Sequence, residues 1–94
     1  MFVWDESKRK RVIEEHHIDF SQIEDVFEDA FSIDFIDQEH SSEKEIRYGV
    51  IGKTAAYGLV MLIYSVSGDE IRFITARRAE KWMVNEYEQQ QKRY

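Results

Sequence analysis

The chain has 94 residues, with 13 Lys plus Arg against 19 Asp plus Glu, a formal net charge of −6, and neither cysteine nor proline. That length predicts one domain over residues 1–94 and excludes a multidomain enzyme or a solenoid array, while 43% hydrophobic and 14% aromatic residues supply a core and argue against disorder. Without cysteine there is no disulfide framework, thiolate zinc site or cysteine nucleophile; no apolar run reaches membrane-spanning length and Met1-Phe2-Val3-Trp4-Asp5 is not a secretory signal, so the expected setting is the cytoplasm.

The acid excess by itself speaks against a nucleic-acid binder, because phosphate contacts need clustered Lys and Arg. Its distribution changes that reading. Residues 1–18 are net neutral, residues 19–45 carry ten acidic groups against Lys44 alone, and residues 46–94 carry eight basic groups against five acidic ones. The chain is polarised, with an acidic block followed by a mildly basic C-terminal half.

Along the chain, Asp5 is a good N-cap and Glu6 suits the first turn of a helix running to about Glu15. Its apolar stripe is thin (Val12 and Ile13), so Phe2 and Trp4 are expected to help anchor it. Asp19 with Gln22 has capping-box spacing, and Ile18 with Ile23 has the spacing of a hydrophobic staple. Ile23, Val26, Phe27, Ala30 and Phe31 then form one helical face, which predicts a second α-helix. Ile33–Ile36 reads as a short strand and Asp37 to Lys44 as a polar loop. Residues 46–51 read as a second strand, residues 59–64 as a central strand apolar on both faces, and Glu70–Ile74 as a fourth after the Ser67-Gly68-Asp69 turn. Thr75 is placed to cap a last helix from Ala76 to about Gln91, with Ala79, Trp82, Met83 and Tyr87 on one side; Gln89 to Tyr94 lacks an apolar stripe and is expected to fray. The sum is an α+β domain: two N-terminal helices, a four-stranded antiparallel meander and a C-terminal helix.

The arginines are the most informative polar residues. Arg72 and Arg47 fall within strands, and Arg77 and Arg78 fall in the first turn of the expected last helix, where cations oppose the helix dipole. Protein carboxylates or a bound phosphate can supply the balancing anion. His16 and His17 close the first helix, and His40 lies in the acidic loop; each is either a solvated imidazole or an acid–base group. Asp37, Glu39 and His40 have no metal-ligand spacing and no second cluster, so no metal is expected. Lys8 to Arg11 spreads around its helix as a solvated face.

Read in order, Phe2, Trp4-Asp5 and Lys8 are followed by His16, Ile18, Phe20 and Val26-Phe27. Asp37, His40, Glu45-Ile46-Arg47-Tyr48 and Ile51-Gly52 come next, then Ile71-Arg72-Phe73-Ile74-Thr75-Ala76-Arg77-Arg78-Ala79 and Tyr87. This ordered set, covering nearly the whole chain, resembles the BrnT-type toxins of bacterial type II toxin–antitoxin systems. The resemblance implies a RelE-like fold and endoribonuclease activity that needs neither metal nor cofactor. It also implies neutralisation by a cognate ribbon-helix-helix antitoxin, with DNA reached only through the toxin–antitoxin complex and no membrane partner. On that reading Arg47, Arg72 and Arg77 stabilise the phosphate, with Arg78 and Lys8 next. His40, or else Glu45, assists proton transfer, and Tyr48 or Tyr87 stacks on a base or donates a hydrogen bond. The charge of the acidic block adds an electrostatic expectation of its own: a basic antitoxin region lies against residues 19–45, with Asp34, Asp37 and Glu39 the residues whose charge reversal tests it. The chain departs from the family pattern at Val12, at Glu15 and His17 where Lys and Gly flank the histidine, and at Met83 where an acidic residue is common. These departures leave a second reading open, a catalytically impaired homologue that binds antitoxin and regulates its operon.

Overall fold

The structure, a computed structural model, describes residues 1–93. Strands β1 (Phe2–Trp4), β2 (Ile33–Ile36), β3 (Arg47–Thr54), β4 (Gly58–Ser67) and β5 (Glu70–Arg78) form one sheet in the order β1-β5-β4-β3-β2. From β2 to β5 the sheet is the expected antiparallel meander. It is nonetheless a five-stranded mixed sheet, because β1 joins its edge parallel to β5, with Phe2 opposite Ile71 and Trp4 opposite Phe73. A three-residue run is too short to show strand periodicity; its pairing is set by a partner about seventy residues away and by aromatic packing. Phe73, fully buried, meets Phe2 at 5.3 Å and Trp4 and Phe20 at 5.7 Å between ring centroids.

Helix α1 (Glu6–His16) forms as read: the Asp5 side chain accepts from the Ser7 and Lys8 amides, and His17 ends the helix in the left-handed region at φ 58°. The second α-helix does not form. Residues 20–28 instead make two 3₁₀ segments, Phe20–Gln22 and Glu24–Glu28. Phe20, Ile23 and Val26 recur every third residue and are all fully buried, which is the period of a 3₁₀ helix, whereas Phe27 and Phe31 are half-buried and Ala30 is exposed. Two carboxylates of the segment are tied to the β3–β4 hairpin: Asp25 accepts from the Ala55 amide at 2.9 Å and Asp29 from the Lys53 amide at 2.8 Å. The approach is close enough that a Cβ on Gly52 would sit 2.8 Å from a Val26 methyl. The RelE-like arrangement of two N-terminal helices on four antiparallel strands is thus replaced by one helix and a 3₁₀ layer on a five-stranded sheet.

The C-terminal boundary also moves. The last strand runs on to Arg78 because β4 continues its apolar Val60–Ile63 segment and needs a partner there. Thr75 lies within β5 and caps nothing; helix α2 (Lys81–Lys92) starts after Glu80 and is regular through most of the segment expected to fray, Tyr94 falling outside the described residues. Arg77 and Arg78 are therefore strand residues, and the expected conflict with a helix dipole does not arise. The α1 and 3₁₀ layer covers one face of the sheet through Val12, Phe20, Ile23 and Val26, and α2 covers the other through Met83 over Ile51, Met61, Ile63 and Ile74.

A bulge in β5 decides which side chains share a face. Thr75 pairs with Ile63 but Phe73 pairs with Tyr64, so Ile74 is an extra residue. Arg72 and Arg77 are an odd number of residues apart and would face opposite ways on a regular strand. With the bulge, Arg72 sits opposite Ser65 and Arg77 opposite Met61, and Ser65 in turn pairs with Arg47. All three arginines are on the α2 side of the sheet.

Candidate active site

On that side a cleft of about 420 Å³ opens between the sheet, the first turns of α2 and the loop from Asp37 to Ile46. Its floor is apolar, made by Met61, Ile63, Ile74, Met83 and Phe35. The Phe35 ring lies over its cross-strand partner Gly49, where a Cβ would meet the ring at 2.1 Å; only glycine admits it there. The rim is polar: Asp37, His40, Arg47, Thr75 and Arg77, with His16 reaching in from the end of α1 and Trp82 from α2.

Ser41 ties the two ends of the loop. Ser41 Oγ donates to the Asp37 carbonyl at 2.6 Å and accepts from the Arg47 amide at 2.9 Å, while the Asp37 amide donates to the Arg47 carbonyl at 2.8 Å. This clasp brings the two ends of the loop together, so His40 and Arg47 face one cleft. The Asp37 carboxylate, 14% exposed, lies 2.8 Å from His40 Nδ1. An ionised carboxylate only accepts, so Nδ1 carries the proton, and in the neutral ring Nε2 offers a free lone pair. Arg47 Nε pairs with Glu45 at 3.1 Å. Arg77 pairs with Glu80 at 2.7 Å, and its Nε is buried without a hydrogen-bond partner among the described residues.

The structure thus brings together Arg47, Arg77 and His40. It sets the other expected residues elsewhere. Arg72 and Tyr48 line a separate depression at the end of the sheet with Ser65 and Glu70, and Tyr48 stacks on Tyr64 at 5.7 Å. Burial raises the Tyr64 phenol above its ordinary range. Arg78 lies on the opposite face, over the Tyr57 ring and donating to the Tyr57 carbonyl at 3.2 Å. Lys8 is on α1 and lines neither the cleft nor that depression. Tyr87 is 3% exposed, and its hydroxyl donates to Asp29 at 2.7 Å. Burial first, and then Asp29, push the phenol up to about 12. A ring enclosed by protein in this way has no face for a base, which corrects the sequence expectation for Tyr87.

Several residues of the cleft were not legible as a group. His16 reads in sequence as a helix-end imidazole, either solvated or an acid–base group, and Ser41, Glu80 and Trp82 carry no motif; only the fold gathers them. Among the described residues no three His, Cys, Asp or Glu side chains converge as a metal-holding group. No helix of the described residues is long and apolar enough to cross a membrane.

The family model described as "Ribonuclease toxin, BrnT, of type II toxin-antitoxin system" matches residues 4–82. Among solved structures, the fold is similar to the 1.1 Å crystal structure of the Brucella abortus ribonuclease toxin BrnT, with a TM-score of 0.65 and 25% sequence identity. That similarity covers 86% of this chain and 99% of the Brucella chain. No curated protein sequence matches the chain.

Proposed function

The chain belongs to the BrnT family of ribonuclease toxins of type II toxin–antitoxin systems, and from that membership we propose that it is an endoribonuclease that works in the Arg47–Arg77–His40 cleft. The observation that carries the assignment is the meeting of an oriented imidazole, His40 on Asp37, with two guanidinium groups in one concave site. RNA brings its own nucleophile, the 2′-hydroxyl beside the scissile phosphate. His40 Nε2 takes the 2′-hydroxyl proton as the 2′-oxygen–phosphorus bond forms and the bond from phosphorus to the 5′-oxygen breaks. Arg47 and Arg77 stabilise the charge that builds on the non-bridging oxygens. Arg47's present partner, Glu45, is an exposed carboxylate, and such a pair exchanges for phosphate at little cost, while Arg77 keeps donors beyond the one on Glu80. His16, the second imidazole of the cleft, returns a proton to the departing 5′-oxygen, leaving a 2′,3′-cyclic phosphate and a 5′-hydroxyl. Arg72 in its separate depression, together with Tyr48, is assigned to holding the strand rather than to the reaction. The site acts without metal in the cytoplasm, and a ribbon-helix-helix antitoxin silences it; DNA is bound only by that complex.

The test is cleavage of RNA by purified wild type beside Arg47→Ala, Arg77→Ala and His40→Ala. Each arginine variant is expected to lose ~10²- to 10³-fold in rate, and His40→Ala ~10²- to 10⁴-fold. Activity should persist in EDTA. Cleavage that survives the double arginine substitution would sink the site assignment.

One observation favours the second reading. Phe35, half-buried, gives the cleft floor an open apolar surface, as suits a face that receives apolar side chains of an antitoxin. Folded wild type that binds the antitoxin but cleaves no RNA would decide for that binding module.

A further inference from the structure

Trp82 stands on the rim of the cleft, one residue past the start of α2, and is 55% exposed. It is not loose. Its indole Nε1–H donates to Glu80 Oε2 at 3.1 Å, and the other oxygen of the same carboxylate, Oε1, accepts from Arg77 at 2.7 Å. One carboxylate therefore holds a flat aromatic side chain and a guanidinium side by side. Glu80, at the N-cap of α2, makes no side-chain cap hydrogen bond, so both its carboxylate oxygens serve this pair.

We propose that Trp82 is a stacking platform for an unpaired base of the RNA, next to the phosphate held by Arg77, and that Glu80 is the positioning residue that sets the spacing between the two. The assignment rests on the reading of the cleft as the RNA site. A nucleotide carries the two features the rim presents partners for: an anionic phosphate for the guanidinium, and a π-face for the indole. Arg77 retains donors beyond the one on Glu80, including the unpartnered Nε. Stacking is sequence-tolerant because every base has a π-face, but it needs that face uncovered, so the platform selects single strands over duplex. Phe35, Met61 and Ile63 on the floor continue the apolar surface under the strand.

The experiment uses a labelled single-stranded oligonucleotide with 2′-O-methyl groups, which has no nucleophile and stays intact, and reads its affinity by fluorescence anisotropy. Trp82→Ala is expected to lose on the order of tenfold in affinity, and Trp82→Phe to keep most of it. Glu80→Ala should weaken binding, with partial rescue in Glu80→Gln, which keeps an acceptor for the indole. Duplex of the same sequence should bind weakly and alike to wild type and Trp82→Ala. Cleavage of the matching unmodified RNA by wild type is measured in parallel, so the nuclease reading stands or falls separately. If Trp82→Ala binds the single strand as wild type does, the platform is refuted. It is equally refuted if that variant loses antitoxin affinity instead, which would make the rim a protein interface, or if wild type binds no single strand.

Discussion

Asp19 reads locally as a cap, and the fold gives it a second partner. Its carboxylate accepts from the Ser21 amide as a cap should, but its two oxygens also take Nε and one terminal nitrogen of Arg9, each at 2.8 Å. The Arg9 guanidinium holds the Asp19 carboxyl well below the usual carboxylate range, and Asp19 in turn raises Arg9. A carboxylate depressed in the folded state adds stability above its unfolded pKa of ~3.9, and that contribution disappears as pH falls through the lower folded value. With both side chains partly exposed, solvent screens the pair and keeps its contribution modest. Asp19→Asn is accordingly expected to lower the urea midpoint at pH 7 at unchanged slope, with the gap from wild type closing below pH ~3. An undiminished gap at low pH would mean that the pair is not its source. Asp29 is a comparable junction, accepting from the Phe31 and Lys53 amides and from Tyr87. Burial raises its carboxyl, but the hydrogen bonds, led by Tyr87, outweigh this and leave it lowered. No spacing in the sequence pairs residues 29 and 87, which is why Tyr87 reads there as an available aromatic.

The elements divide by how local their causes are. Helix α1 was legible because its cap, its first-turn acid and its end lie within a few residues of each other. The meander was legible because alternating apolar residues and short turns suffice for neighbouring strands. The segment from Asp19 to Phe31 was misread because a three-residue and a four-residue period share the Ile23–Val26 step, and side-chain bonds to the β3–β4 hairpin decided between them. The loop from Asp37 to Ile46 looked featureless, yet Ser41 closes it. Ser41→Ala removes both the bond to the Asp37 carbonyl and the acceptor for the Arg47 amide. That substitution is expected to speed hydrogen exchange at the Arg47 amide at least tenfold, for ~1.4 kcal/mol of local stability, with little change in global unfolding. Cleavage should fall with it, since His40 and Arg47 lose their common support. Exchange as slow as in wild type would show that the strand pairing, and not the serine, sets the loop.

For the whole molecule, the net charge of −6 is a poor guide and its placement a good one. Part of the acidic block turns inward: Asp19 holds Arg9, Asp25 and Asp29 hold the hairpin, and Asp37 holds His40. What remains for a partner is the exposed set, including Asp34 and Glu39. If a basic antitoxin segment lies there, Asp34→Lys with Glu39→Lys should slow association severalfold at low salt and much less at high salt. An unchanged association rate would remove the acidic face from the interface. Composition, caps, turn residues and the ordered family motif were enough for the α+β class, for α1, for the meander and for the toxin family, because each depends on residues close in sequence or on the sequence pattern itself. The fold alone decided that β1 pairs parallel with β5, that the bulge at Ile74 turns Arg72 and Arg77 to one face, that His16, His40 and Trp82 share a cleft, and that Tyr87 is buried. The physical reason is common to all four: strand register and side-chain facing are set by contacts between distant segments, and one extra residue in a strand reverses which face everything beyond it occupies.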